Sequence, residues 1–75
     1  MQPIQAAYKF MEGLNKVLCK DKYEITIGSN YSNDGIIDII QRKPLRFIER
    51  IYFEHECSIE QVEDMLKDKV KNYNN

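Results

Sequence analysis

The stretch IIDIIQRKPLRFIERIYFE, residues 36–54, decides the fold. Ile36 to Gln41 reads as a strand, with Ile37 and Ile39 on one phase, Ile36 and Ile40 on the other, and Asp38 between them. A strand with no polar phase belongs where both faces are occupied, because a half-solvated antiparallel strand alternates cleanly. Arg42-Lys43-Pro44 breaks it. Leu45 to Glu54 fits two periods. On a helical wheel Leu45, Phe47, Ile48, Ile51 and Tyr52 share a face, and Pro44 suits a first helical turn. As a strand, Leu45, Phe47, Ile51 and Phe53 oppose Arg46, Ile48, Arg50 and Tyr52, with Glu49 as the misfit. Aromatic and β-branched residues crowd the segment, and the break before it is short enough for a hairpin. The reading taken is strand.

Toward the N-terminus, Tyr23-Glu24-Ile25-Thr26-Ile27 alternates with period two, a further half-buried strand. Gly28 to Gly35, GSNYSNDG, has loop chemistry throughout, and Asp34-Gly35 is a turn dipeptide. Before it, residues 3–20 form an amphipathic helix opened by Pro3, with Ile4, Ala7, Phe10, Met11, Leu14, Val17 and Leu18 on one face. Gly13 interrupts that helix at a cost of about 1 kcal/mol relative to Ala, and so marks a close approach to another element. Toward the C-terminus, Ser58 and Gln61 have capping-box spacing. Ile59, Val62, Met65, Leu66, Val70 and Tyr73 form the apolar stripe of the helix that follows, and Cys57 precedes the cap where it can staple onto Val62. The expected architecture is α+β: helix, three-stranded antiparallel meander, helix, in one domain over residues 1–75.

Composition narrows the function. The 75 residues carry 11 basic and 12 acidic side chains, a net charge of -1. That balance disfavours a general nucleic-acid or membrane-surface binder, either of which needs a basic excess. A chain this short makes a marginal core and has little room for a deep cleft with a rigid supporting shell, so an enzyme is not expected. There is no secretory signal and no apolar run of membrane-spanning length, and the two cysteines are expected to be reduced, in a cytoplasmic protein. Heavy use of Ile, Lys, Asn and Tyr with no Trp is the composition of an AT-rich genome, which suits a low-GC bacterium or its phage.

If both helices cover one face of the sheet, the other shows Ile36, Ile40, Ile48 and Tyr52, ringed by Asp38, Arg46 and Arg50. An apolar centre inside a charged rim is the layout of an interaction site. Tyr31, at the tip of the long loop, is a second candidate anchor. The expected partner is a protein or a second copy of the chain. The alternative is nucleic acid, contacted through Arg42, Lys43, Arg46 and Arg50 with Lys20 and Lys22. Other chemistry is weaker. His55 and Cys57 place an imidazole near a thiol without a third orienting group, and Cys19, His55 and Cys57 lack paired zinc-ligand spacing. The Gly28–Gly35 loop lacks a phosphate-cradling fingerprint. No catalytic residue, metal, cofactor, small-molecule substrate or membrane contact is inferred.

The αβββα order resembles the double-stranded RNA-binding domain in topology and size. Basic residues at the start of that family's second helix contact phosphates. Ser58, Glu60, Glu63 and Asp64 hold the position here, so the resemblance implies a fold and not RNA binding. Several small phage inhibitors of host defence, some anti-CRISPR proteins among them, have comparably compact α+β folds, with no motif shared.

Overall fold

The computed structural model describes residues 1–27 and 35–73. Its elements run α1 (Pro3–Val17), β1 (Tyr23–Ile27), β2 (Gly35–Gln41), β3 (Arg46–Phe53) and α2 (Ile59–Tyr73). The three strands form one antiparallel sheet in the order β1-β2-β3. The expected α+β order is therefore present, and the ambiguous segment is a strand. The Gly28–Gly35 loop reading, with Tyr31, falls outside the described residues except for Gly35, which begins β2.

β2 is the central strand, hydrogen-bonded along both edges, and its inward phase enters the core. Ile25 pairs with Ile39 and Ile27 with Ile37, while Ile37 also faces Ile51 and Gly35 faces Phe53. These residues make the inner face. Ile25, Ile37, Ile39, Ile51 and Phe53 join Ala6, Ala7, Phe10, Leu14, Leu18 and Val62 in one core cluster. Phe10 and Phe53 meet with ring centroids 5.6 Å apart, tilted by 58°, one of the arrangements aromatic pairs favour.

Both helices lie on this inner face. α1 rests directly on the strands, and α2 joins the same core through Val62, with Met65, Leu66, Val70 and Tyr73 packed against it. The Cα extents of 34 × 26 × 15 Å fit one layer of helix on one layer of sheet.

Two glycines set the spacing of these layers. A Cβ on Gly35 would overlap the backbone carbonyl of Pro3 and come within 3.1 Å of the Ala7 Cβ. α1 therefore enters the fold with its first turn pressed onto the start of β2. A Cβ on Gly13 would overlap a terminal methyl of Leu66. The helix-weakening glycine is where α2 crosses α1, the close approach its position implied.

The caps follow the sequence. Gln61 N–H donates to Ser58 Oγ at 3.1 Å, and Ser58 N–H donates to Gln61 Oε1 at 2.8 Å. This is the reciprocal capping box. Cys57 packs against the core, and its N–H donates to the Met1 carbonyl at 3.1 Å. α1 ends at Val17 rather than at residue 20, and Val17 is 47% exposed. The chain must leave the helix there because Leu18 turns into the core in extended conformation.

The glycines separate by what a methyl would strike. Gly35→Ala meets backbone and should cost roughly 2–4 kcal/mol through forced displacement of α1. Gly13→Ala meets only the end of a half-buried leucine and gains about 1 kcal/mol of helix propensity, so its net change should stay within about 1 kcal/mol. Urea denaturation of the two variants checks the order.

Candidate interaction face

The outer face of the sheet is set by one irregularity. Between Ile39 and Ile40 the register of β2 with β3 slips: Ile39 pairs with Glu49 and Ile40 with Phe47, leaving Ile48 extra. This is a β-bulge, and it reverses the inward–outward phase of the strand on its two sides. From Glu49 onward, Glu49, Ile51 and Phe53 face the helices while Arg50 and Tyr52 face out. Before it, Phe47 takes the outward position opposite Ile40.

The expected set of face residues changes accordingly. Ile40 is half-buried and Tyr52 is 53% exposed on the outer face, as anticipated. Ile48 is not on that face; it packs against the core cluster because the bulge turns it there. Phe47, assigned to the inner face by strict alternation, is 56% exposed on the outer one. Ile36 has the outward phase, opposite Tyr52, but is only 1% exposed and presents no contact surface. Alternation assigns a face, and exposure depends in addition on what lies alongside. Arg46 pairs with Gln41, out of phase with Phe47, and is exposed at the end of the strand rather than on the rim of the face.

Arg50 and Asp38 stand opposite each other at the middle of the face and form a fork: Nε to Oδ1 at 2.6 Å and Nη2 to Oδ2 at 3.0 Å. The hydrogen bonds it donates to Asp38, with Tyr52 alongside, raise the Arg50 guanidinium above its usual pKa. Toward β1, Arg42 lies 4.0 Å from Glu24. The face thus combines Ile40, Phe47 and Tyr52 with two internally neutralised ion pairs. Of the arginines considered for nucleic acid, these two already have carboxylate partners. Lys20, Lys22, Lys43 and Arg46 lie elsewhere, at one end of the sheet.

The inner face carries a polar cluster that the sequence reading missed. Glu49, the apparent misfit, accepts from Lys69 Nζ at 2.6 Å and from the Tyr73 hydroxyl at 2.5 Å. Burial alone would raise its pKa, but the bonds from Lys69 and Tyr73 and the Lys69 charge outweigh that and hold it below the usual carboxylate range. Tyr73 is shifted well up, first by burial, then by its bond to Glu49 and by that carboxylate's charge. Its ring also meets Tyr23 edge-on at 5.4 Å. The signal available in the sequence was the pair Lys69 and Tyr73, four residues apart and so on one helical face.

The remaining candidates hold little chemistry. The Cys57 thiol donates to the His55 backbone carbonyl at 3.3 Å, and His55 is exposed. Cys19 and Cys57 are free thiols. Among the described residues no three His, Cys, Asp or Glu side chains gather as a metal site, and no helix is long and apolar enough to cross a membrane. An open groove of about 340 Å³ runs between the helices over Gly13, Val17, Val62 and Leu66, edged by Lys9, Lys16, Glu12 and Glu63. Its rim charges are balanced and line its edges without converging on one point.

No protein-family model, curated protein or solved structure matches this chain.

The Glu49 cluster makes stability depend on pH at both ends. Its folded pKa is depressed, so its contribution is full above the unfolded value of about 4.3 and lost as pH falls through the folded one. Tyr73 has a raised folded pKa, so its contribution is full below about 10 and lost as pH rises past that value. Glu49→Gln should cost about 1 kcal/mol at neutral pH and flatten the acid limb. Urea midpoints between acid and neutral pH, for both chains, check this.

Proposed function

We propose that the chain is a non-enzymatic interaction module that docks a protein surface onto its helix-free sheet face, a second copy of itself being the partner. One observation carries the reading: both helices sit on the inner face, while Phe47 and Tyr52 stand about half exposed on the other, with Ile40 of β2 opposite Phe47. Large aromatics are among the side chains that contribute most to protein contacts, and here they flank the Asp38–Arg50 pair. The neutralised pairs Asp38–Arg50 and Glu24–Arg42 suit a protein partner better than a polyanion, which would have to displace the carboxylates. A face that carries equal and opposite charges is also complementary to its own copy under two-fold symmetry.

The magnitudes indicate a weak, concentration-dependent association. Burying the exposed parts of Phe47 and Tyr52, about 100 Å² each, contributes about 2.5 kcal/mol per ring. Four rings in a two-fold pair give about 10 kcal/mol, within the range of about 4–15 kcal/mol that association costs in lost motional freedom. The rest must come from Ile40 and the rim. Where a foreign protein takes the place of the second copy, the chain acts by occlusion, as a regulator or inhibitor, and a phage or other mobile element is the setting its size and composition suit.

Light scattering over a range of concentrations should show the mass rising from one copy toward two, with little change on adding salt. The double variant F47E/Y52E should stay a monomer while unfolding at an unchanged temperature. A monomer at every concentration, whose behaviour F47E/Y52E leaves unaltered, overturns the assignment of this face as a contact surface.

A further inference from the structure

The net charge of -1 conceals a separation of charge along the molecule. Residues 54–64 contain Glu54, Glu56, Glu60, Glu63 and Asp64 and no lysine or arginine. They follow Phe53, which pairs with Gly35 at one end of the sheet. At the opposite end, Tyr23 pairs with Gln41 and Gln41 with Arg46. There the α1–β1 connection and the β2–β3 turn are joined by the Arg42 N–H, which donates to the Lys22 carbonyl at 2.9 Å. Residues 18–24 and 42–46 bring Lys20, Lys22, Arg42, Lys43 and Arg46 together, against the carboxylates Asp21 and Glu24. Glu24 faces Arg42. Among the described residues, Lys20, Lys22, Lys43 and Arg46 are in no ion pair, and all are exposed. The last turn of α2 reaches the same end through the Tyr73–Tyr23 contact and adds the exposed Lys71.

We propose that this basic end, formed by Lys20, Lys22, Lys43 and Arg46, is a contact site for the phosphate backbone of duplex nucleic acid. Lys22 just before β1 and Arg46 at the start of β3 stand two strand spacings apart, about 10 Å, with Lys43 in the turn that leads into β3. A row of exposed cations at that scale neutralises neighbouring phosphates and releases their counterions. The acidic opposite pole orients the approach, since a polyanion attracts one end of the molecule and repels the other. A membrane surface is less well served: Leu45, 79% exposed, is the chief apolar side chain of the turn, and one such side chain contributes only about 2 kcal/mol of insertion. The site is separate from the sheet face and does not rest on the reading of it.

The test is fluorescence anisotropy with a labelled duplex DNA, alongside sedimentation with phosphatidylserine vesicles. Four phosphate contacts imply that affinity falls about 100-fold between roughly 50 and 200 mM salt. K22E/K43E should weaken binding at low salt by at least about tenfold and lower the salt slope by about 2. K9E/K67E, with the same change in net charge on the helical side, should change it by no more than about threefold. All four side chains are exposed, so unchanged thermal unfolding verifies the fold. No salt-sensitive DNA binding by the wild type, equal loss in both double variants, or binding to the vesicles alone each overturns the proposal.

Discussion

One extra residue in β3 governs both surfaces of the sheet. Without the bulge at Ile48, strict alternation from Phe53 backward keeps Phe47 on the helix side and leaves Ile48 facing out. With it, Ile48 packs against the core and Phe47 faces out opposite Ile40. Beyond the insertion, Glu49, Ile51 and Phe53 face the core while Arg50 and Tyr52 face out; before it, Phe47 takes the outward position. β3 is an edge strand, and a bulge there interrupts the regular row of backbone groups that an outside strand would pair with. The bulge thus disfavours extension of the sheet from this edge.

A carboxylate is tolerated on the inner face because α2 supplies its partners. Glu49 sits where a core position would otherwise demand an apolar residue, and it meets Lys69 and Tyr73 from the last turns of α2. An isolated ionised carboxylate there would incur a large desolvation penalty. With a cation and a hydroxyl in place, the remaining effect is modest, because the pair is still partly open to water. The cluster supplies specificity as well as energy. α2 packs chiefly against α1 and reaches the strands through side chains. A two-donor grip on Glu49, with the Tyr23–Tyr73 ring contact beside it, fixes where the helix ends along the strands.

Much of this was legible in the residues because local signals agreed with one another. The doubly apolar phase of Ile36–Ile40 marked the central strand, Ser58 and Gln61 marked the start of α2, and Gly13 marked the helix crossing that Leu66 now occupies. What failed was the step from alternation to face. A bulge leaves no signature in apolar patterning, since Phe47 and Ile48 are both apolar and either can take the outer position. Glu49 was the clue: a charge on the inner phase demanded either a broken phase or a partner on the facing helix, and the fold supplies both. The burial of Ile36 was illegible for a different reason. Phase along a strand assigns a face, whereas exposure depends on what lies over that face.

The two candidate surfaces differ in how their charges are satisfied. On the sheet face each arginine has a carboxylate across from it, at 2.6 Å for Arg50 and 4.0 Å for Arg42. The field at a distance is then weak, and what distinguishes the face is apolar area. At the basic end the four side chains have no such partners among the described residues, so their field extends about a Debye length into solvent, near 8–10 Å at moderate salt. Short-range apolar complementarity selects a shaped protein surface, while an unshielded row of cations selects any polyanion of suitable spacing. Near-zero net charge is thus a poor guide to this chain. It sums over a pole of carboxylates and a pole of cations that the meander, by bringing β2 back to the end where β1 begins and starting β3 there, holds at opposite ends of the sheet.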